Sequence, residues 1–433
     1  MGKRKKLQDG DWRYDLLHWY VNLATKASFR SLKYYGMERI PEDGAVIFAP
    51  NHSGTLMDAL MVVAMDNKEK VFLARADIFK NPNLAKLLHF FKMVPIMRMR
   101  DGIEEVKKNN KTIEIAADVL KDGIPLCIFP EGTHQAKYSM LPLSKGIFRI
   151  ALQAKELLGD TPLYIVPVGI RYGNFFRFRS TARVQIGNPI NVGEFIAQND
   201  GMTPQEQMNE MRKCLDERMK ETILYIPNDE EYDAKNEICA AVSAKQLKNH
   251  VQGNTEALVA VNKEAIKHIE QLKEENTELA ARLIALSNEA LRTRRKLGIS
   301  LRSVAKRPTY FSLSLKILLL IATLPYTLPA MALTLPVTAT ATLLTKKFKD
   351  RAFHNSVRFI MLLVIWPLLL LAYTAVAFTY MPPLCALCAI LIILPAPAIA
   401  HDAYKAARTL LSDFKLLRNK QLMAIYDEMR SYF

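Results

Sequence analysis

Two stretches of this chain, 317–345 and 359–400, contain no charged residue, and each exceeds the roughly 20 apolar residues that cross a bilayer core of about 30 Å. A water-soluble core does not require such runs. The sequence therefore predicts a chain divided between a water-facing part and a lipid-embedded part. Composition agrees: half of the residues are hydrophobic, yet 24% are charged, with charges spread throughout up to about Arg307. At 433 residues the chain is long enough for two or three units.

The formal net charge is +16, and Lys and Arg gather at 3–6, 292–296, 302–307, 346–351 and 405–420. Several of these clusters flank the apolar runs, which fits attraction to anionic membrane lipids. Nucleic acid is not an expected partner, because no aromatic-interleaved basic motif or zinc-finger spacing accompanies the charge. The run 359–400 is interrupted by Met381-Pro382-Pro383 and reads as two spans, near 359–380 and 384–400. The run 317–345 is open to two readings. Straightened, it would measure about 43 Å at 1.5 Å per residue, and Pro325, Pro329 and Pro336 break it, so it is a re-entrant hairpin or a single span. A hairpin keeps every basic flank on one side, with an integral membrane protein whose remaining domain lies on the cytoplasmic face.

Five cysteines at no framework-like spacing argue against a disulfide scaffold. Cys385 and Cys388 form a C-x-x-C within an apolar run, without a second ligand pair. His18, His89, His250, His268, His354 and His401 are scattered, so no metal is expected. Neither a secretory leader nor a myristoylation signal is read at the N-terminus.

The expected organisation has five parts. An amphipathic helix occupies 1–34, where Trp12, Leu16, Leu17, Tyr20, Leu23 and Ala24 recur at helical spacing, either lying on a membrane or capping the next domain. An α/β domain follows over 35–230, with buried strands at 45–49, 71–73, 126–129, 164–166 and 184–186 alternating with helical patterns at 59–65, 103–120 and 145–158. A helical segment covers 231–308. Within it Ile269, Leu272, Asn276, Leu279, Leu283 and Leu286 follow a heptad with Asn276 in a core position, so 269–286 either pairs two copies as a coiled-coil homodimer or packs within the chain. The membrane region spans 309–400, and a basic interfacial tail spans 401–433.

The stretch Ala49-Pro-Asn-His-Ser-Gly-Thr-Leu-Met-Asp58 runs from a strand through a polar turn into a helix. His52 is suited to act as a general base at neutral pH, and Asp58 to fix its tautomer and stabilise the imidazolium; the bland alternative makes them a turn residue and a helix cap. Val94-Pro-Ile-Met-Arg98, Phe129-Pro-Glu-Gly-Thr-His134 and Val166-Pro-Val-Gly-Ile170 end further apolar runs, and strand ends are where open α/β sheets bind substrates. Arg98 offers a fork of donors to a phosphate, and Gly132 lets backbone amides approach an anion.

In order, spacing and content these four blocks, across roughly 35–195, resemble the glycerophospholipid acyltransferase superfamily, which includes glycerol-3-phosphate and lysophosphatidic acid acyltransferases. The resemblance implies an acyltransferase-type α/β domain followed by the helical segment and an α-helical membrane region. It implies an enzyme in phospholipid synthesis that moves a fatty acyl group from an acyl-thioester donor, acyl-CoA or acyl carrier protein, to a phosphate-bearing acceptor without an acyl-enzyme intermediate and without a further cofactor. His52 is then the base with Asp58 its partner. Arg98, Glu131 and Gly132, with Thr133, bind the acceptor and its phosphate. Pro167 shapes the acyl-donor site, and Lys145 with Gly146 matches the segment after the third block.

Two departures accompany the match. Five residues, 53–57, separate His52 from Asp58 where the usual pattern has four, which would rotate Asp58 by about 100° on a helix and calls for an irregular turn at Gly54. That spacing resembles a subgroup with fungal glycerol-3-phosphate or dihydroxyacetone-phosphate acyltransferases. His134 stands in the substrate-binding block where many relatives carry Arg or Ser, so another lysolipid acceptor remains open. A reading of a different class is a non-catalytic lipid-binding scaffold assembled through 269–286.

Overall fold

The computed structural model describes residues 6–97, 109–246 and 255–433. The chain divides into two compact units, one of residues 1–176 and 180–223, the other of 177–179 and 224–433.

The first unit is built on one sheet of β1 (Ser31–Tyr35), β2 (Ala45–Pro50), β3 (Val71–Arg75), β4 (Met93–Ile96), β5 (Leu126–Ile128), β6 (Leu163–Tyr172), β7 (Thr181–Ile186) and β8 (Ile190–Asn191). The spatial order is β1-β7-β6-β2-β5-β3-β4, with β8 beside β6. Neighbours from β6 to β4 are parallel, and β7 runs antiparallel to β6. Every residue of β2 is buried, as a strand covered on both faces requires. Helices α1 (Trp12–Ser28), α2 (Leu56–Val63), α3 (Pro82–Phe90), α4 (Asn109–Lys121), α5 (Gly146–Leu158), α6 (Val192–Gln198) and α7 (Pro204–Thr222) complete the unit. Asn81 caps α3 and Thr203 forms a capping box with Glu206 on α7, each ahead of a proline in the first turn.

The connection leaving β2 passes over β5 to β3, whereas the one leaving β5 passes over β2 to β6. Adjacent strands whose connections depart in opposite directions open a crevice at their carboxyl ends. The loops after β2 and β5 carry His52 and Glu131 there.

Several expectations change. Strands β1 and β8 carry too few apolar residues to be read from the sequence, and β4, which has no polar residue, tolerates Pro95 because it is an edge strand. The block Val166–Ile170 does not end a strand, since β6 continues to Tyr172. Pro167 is buried mid-strand, where β6 exchanges its partner β8, paired through Ile165, for β7, paired from Val168. A residue without an N–H fits that gap. In α1 the apolar stripe faces outward. Trp12, Leu16, Trp19 and Leu23 are 73%, 59%, 63% and 54% exposed, while the buried face is Tyr14, Asn22, Thr25 and Ser28.

The second unit is helical: α8 (Tyr232–Gln246), α9 (Thr255–Glu275), α10 (Thr277–Leu297), α11 (Leu301–Lys306), α12 (Tyr310–Thr345), α13 (Phe353–Tyr380), α14 (Pro383–Ile393), α15 (Ala396–Arg418) and α16 (Lys420–Ser431). Helix α8 packs against α9, α10, α11 and α16. Buried Glu237 there accepts from Arg294 Nε and Nη2 at 2.6 and 2.8 Å and from Tyr426 Oη at 2.5 Å. The heptad reading is corrected at Asn276. That residue is exposed and caps α10, accepting the Leu279 N–H at 3.0 Å, so the helix breaks in mid-pattern. Ile269 and Leu283 are buried within the chain.

Helices α12 and α13 are each long and apolar enough to cross a membrane, and α14 with α15, bent by 42°, would make a third span if counted as one. The hairpin reading of 317–345 gives way to one helix of 36 residues, about 54 Å long. Pro325, Pro329 and Pro336 all lie inside this helix, and Tyr373 Oη on α13 donates to its Leu333 O at 2.9 Å. Nor does the tail begin a new helix at 401, because α15 runs unbroken through that position.

Candidate active site

The site grows from the last residue of β2. Pro50 ends the strand, and Asn51 continues its ladder with a side chain: Nδ2 donates to Ile170 O at 3.1 Å and Oδ1 accepts the Ile170 N–H at 2.6 Å. This fastens the loop to β6. His52 follows, its side chain 19% exposed. Its Nδ1 lies 2.7 Å from Asp58 Oδ2, and a carboxylate only accepts, so Nδ1 carries the proton and donates.

Asp58 sits in the first turn of α2 and is fully buried. Its Oδ2 also accepts the Ser53 and Gly54 N–H groups at 2.8 and 2.7 Å, and its Oδ1 accepts Tyr172 Oη at 2.6 Å. Asp58 thus accepts from four donors, with no lysine or arginine among them. Burial, with the Asp58 charge beside it, raises the Tyr172 hydroxyl well above its ordinary pKa, which keeps it a donor.

The extra residue between His52 and Asp58 is absorbed in the turn. Thr55 takes φ +54°, ψ −126°, a conformation that costs a non-glycine residue about 1–3 kcal/mol. The irregularity is therefore at Thr55 rather than at Gly54. Gly54 is needed for room, since a Cβ there would lie 2.3 Å from Tyr172 Oη and 2.8 Å from Asp58 Oδ1.

Glu131, expected among the acceptor ligands, is buried and turned to the backbone. Its Oε1 accepts the His52 N–H at 2.7 Å and its Oε2 the Leu141 N–H at 2.8 Å. It braces the base loop and the loop after β5 together. Burial pushes its pKa up to about 7, against the two N–H donors and His52, which lower it. Gly132 has φ +64° and closes a turn onto Phe129 O, with open space where a Cβ would be. Thr133 and His134 are part-exposed. The rings of Phe129 and His134 lie 4.3 and 5.6 Å from that of His52. Lys145 is exposed at the start of α5, Pro167 lies back in the sheet, and Arg98 falls outside the described residues. Among the described residues no group of His, Cys, Asp and Glu is arranged to hold a metal.

Asn51 and Tyr172 are two site residues that the sequence reading passed over. Asn51 stands beside His52 and offered a signal in its position at a strand end. Tyr172 offered none.

An imidazole held by a buried carboxylate beside a switch-point crevice is equipped to take a proton from a hydroxyl. Residues 31–171 match the family model described as Acyltransferase. Fold, site and model define an acyltransferase. A 1-acyl-sn-glycerol-3-phosphate acyltransferase of Bacillus subtilis (strain 168) is 25% identical over 193 residues, 44% of this chain and 87% of that protein. One from Cocos nucifera is 30% identical over 151 residues, 34% of this chain and 44% of that protein. Glycerol-3-phosphate O-acyltransferase 1 of Saccharomyces cerevisiae is 38% identical over 65 residues, 15% of this chain and 9% of that protein. The chain thus spans most of the bacterial relative and less than half of the other two. The segment matched by the Acyltransferase model lies within the α/β unit.

Proposed function

We propose that this protein is a membrane-bound O-acyltransferase that moves a fatty acyl group from an acyl-CoA or acyl carrier protein thioester to a hydroxyl of lysophosphatidic acid or glycerol 3-phosphate. The observation that carries this reading is the 2.7 Å contact between His52 Nδ1 and buried Asp58. With Nδ1 protonated, Nε2 is the basic nitrogen. It takes the acceptor's hydroxyl proton as that oxygen attacks the thioester carbonyl. The tetrahedral intermediate then collapses, the C–S bond breaks, and the imidazolium returns the proton to the leaving thiolate. Asp58 stabilises the imidazolium without itself changing protonation.

Gly132, Thr133, His134 and Lys145 form the acceptor side in this reading, with Arg98 supplying a phosphate contact, and Pro167 acts only at a distance, through the sheet. Membrane attachment is supported by α12, α13 and the outward stripe of α1. We place the catalytic unit on the cytoplasmic face on the strength of the basic flanks.

His134 beside His52 favours a second acceptor reading, a lysolipid with a different headgroup, because a histidine replaces a permanent cation there. The decisive experiment supplies purified protein with a labelled acyl-thioester and a panel of glycerol 3-phosphate, lysophosphatidic acid and other lysolipids. Equal turnover by wild type and His52→Ala would sink the mechanism, and the acceptor consumed chooses between the two readings.

A further inference from the structure

The charge-free run 359–400 is bounded by Arg358 and His401, and the fold brings these two ends together: the charge of Arg358 acts directly on the His401 ring. Both lie at the edge of an apolar cluster, Arg358 one turn before Met361 and Leu362, and His401 next to Ala400. In a membrane this is the level where hydrocarbon gives way to headgroups.

A short segment of the same unit is fastened at this level. Arg179 Nη2 and Nε donate to Asp402 Oδ2 at 2.9 and 3.3 Å, and Lys405 Nζ donates to Arg179 O at 2.9 Å. The Phe178 ring packs edge-on against His401 at 5.3 Å. Arg177 is thereby held among cations, since the charges of Arg408, Arg358 and Arg351 all reach it. Burial first, and then Arg408, lowers its pKa from the ordinary value. Tyr404 stands among them, its hydroxyl oxygen 3.4 Å from the donor Arg408 Nη1.

Among the described residues no carboxylate pairs with Arg177, Arg358 or Arg408, although Arg177 and Arg358 are part-buried. Asp402, the acid on the facing helix, is engaged by Arg179. Holding the part-buried guanidinium groups of Arg177 and Arg358 near a third cation is unfavourable unless an anion joins them. We propose that Arg177, Arg358 and Arg408, grouped around Tyr404, bind the phosphate of an anionic phospholipid headgroup at the membrane surface. Guanidinium forks match phosphate oxygens, and several of them suit one multiply hydrogen-bonded phosphate better than a lone carboxylate. A lipid rather than a free phosphate fits because α13 continues from Arg358 with the exposed side chains Ile360, Val364 and Leu368, a track for an acyl chain. The proposal rests on the membrane part of the function proposed above and not on the transfer chemistry.

The test uses the full chain in nanodiscs of phosphatidylcholine mixed with phosphatidylglycerol, followed by native mass spectrometry of the lipid retained after transfer to detergent. Wild type is expected to retain phosphatidylglycerol over phosphatidylcholine. Arg177→Gln, Arg358→Gln and Arg408→Gln should each lower retention by about tenfold, the loss for one charge-assisted hydrogen bond. Lys346→Gln with Lys347→Gln, which removes surface charge at the end of α12, should leave it unchanged. Arg408 is exposed, so its variant reports on binding even if the others fold poorly. Retention unchanged in Arg408→Gln overturns the site, as does equal loss in the lysine variant, which would mean diffuse attraction. Displacement of the lipid by equimolar inorganic phosphate would reassign the cluster to a soluble phosphate and also overturn it. His52→Ala should retain the lipid fully, which separates failure of this site from failure of the catalytic reading.

Discussion

Replacing Gly54 with alanine probes how tightly the base is set. The new Cβ would lie 2.3 Å from Tyr172 Oη, 2.5 Å from Tyr172 Cζ and 2.8 Å from Asp58 Oδ1, about 1 Å inside ordinary van der Waals contact. Neither neighbour has room to give way, because Tyr172 and Asp58 are both fully buried. The loop must move instead, and Ser53, Gly54 and His52 all hold Asp58 Oδ2 from that loop. Overpacking of this kind costs about 1–3 kcal/mol of stability. A base displaced by about 1 Å costs about 100-fold in rate. The expected outcome of Gly54→Ala is therefore a folded protein whose kcat, measured by thiol release from the acyl-thioester in detergent, falls about 100-fold with KM little changed. Adding Tyr172→Phe should rescue little, since Cζ still clashes. A Gly54→Ala enzyme working at the wild-type rate, with an unchanged unfolding midpoint, would refute the argument that this loop is fixed through Asp58.

Four further outcomes are expected. Asp58→Asn presents one oxygen to four donors and permits the wrong His52 tautomer, so thiol release should slow by about 10³–10⁴-fold; a smaller loss than for Gly54→Ala would count against the pairing. Tyr172→Phe removes one donor from a buried carboxylate and should cost about 1–3 kcal/mol in chemical unfolding, with kcat lowered more than KM is raised. Burial raises Glu131 from an ordinary 4.5 to about 7, so between those values the folded chain holds a proton that the unfolded chain has released, and this contribution to stability is lost as pH rises. Glu131→Gln should flatten the pH dependence of the unfolding midpoint in that window, and an unchanged slope would dismiss the assignment. Of the three tryptophans, Trp12 and Trp19 lie on the outward stripe of α1. In a Trp366→Phe background their fluorescence should be quenched by brominated phosphatidylcholine, and fluorescence unaffected by bromine would remove α1 from the membrane surface.

What the sequence made legible follows physical range. The buried strands β2, β3, β5, β6 and β7 announce themselves by apolar runs, and His52 with Asp58 stands out because both belong to one strand–turn–helix unit. Even there helical geometry misleads: a rotation of about 100° would part them, yet α2 begins only at Leu56 and Thr55 takes the strain, so the carboxylate returns to the imidazole. Asn276 shows how one residue type carries two meanings, since an amide fits a heptad core and also caps a helix, and the exposed setting chose the cap. The prolines of α12 read as breaks because proline interrupts an isolated helix, whereas packing against α13 and α15, which no window of sequence reveals, accompanies an unbroken helix here. Tyr172 and Asn51 mark the limit most clearly. Their hydrogen bonds span 114 and 119 positions and exist only because β6 lies parallel to β2 in a register that pairs Pro50 with Val168. Side chains that meet through a sheet crossover are specified by register, and register emerges from the packing of the whole sheet rather than from any window of sequence. The base and its carboxylate are thus readable locally, whereas the groups that hold that carboxylate in place are not.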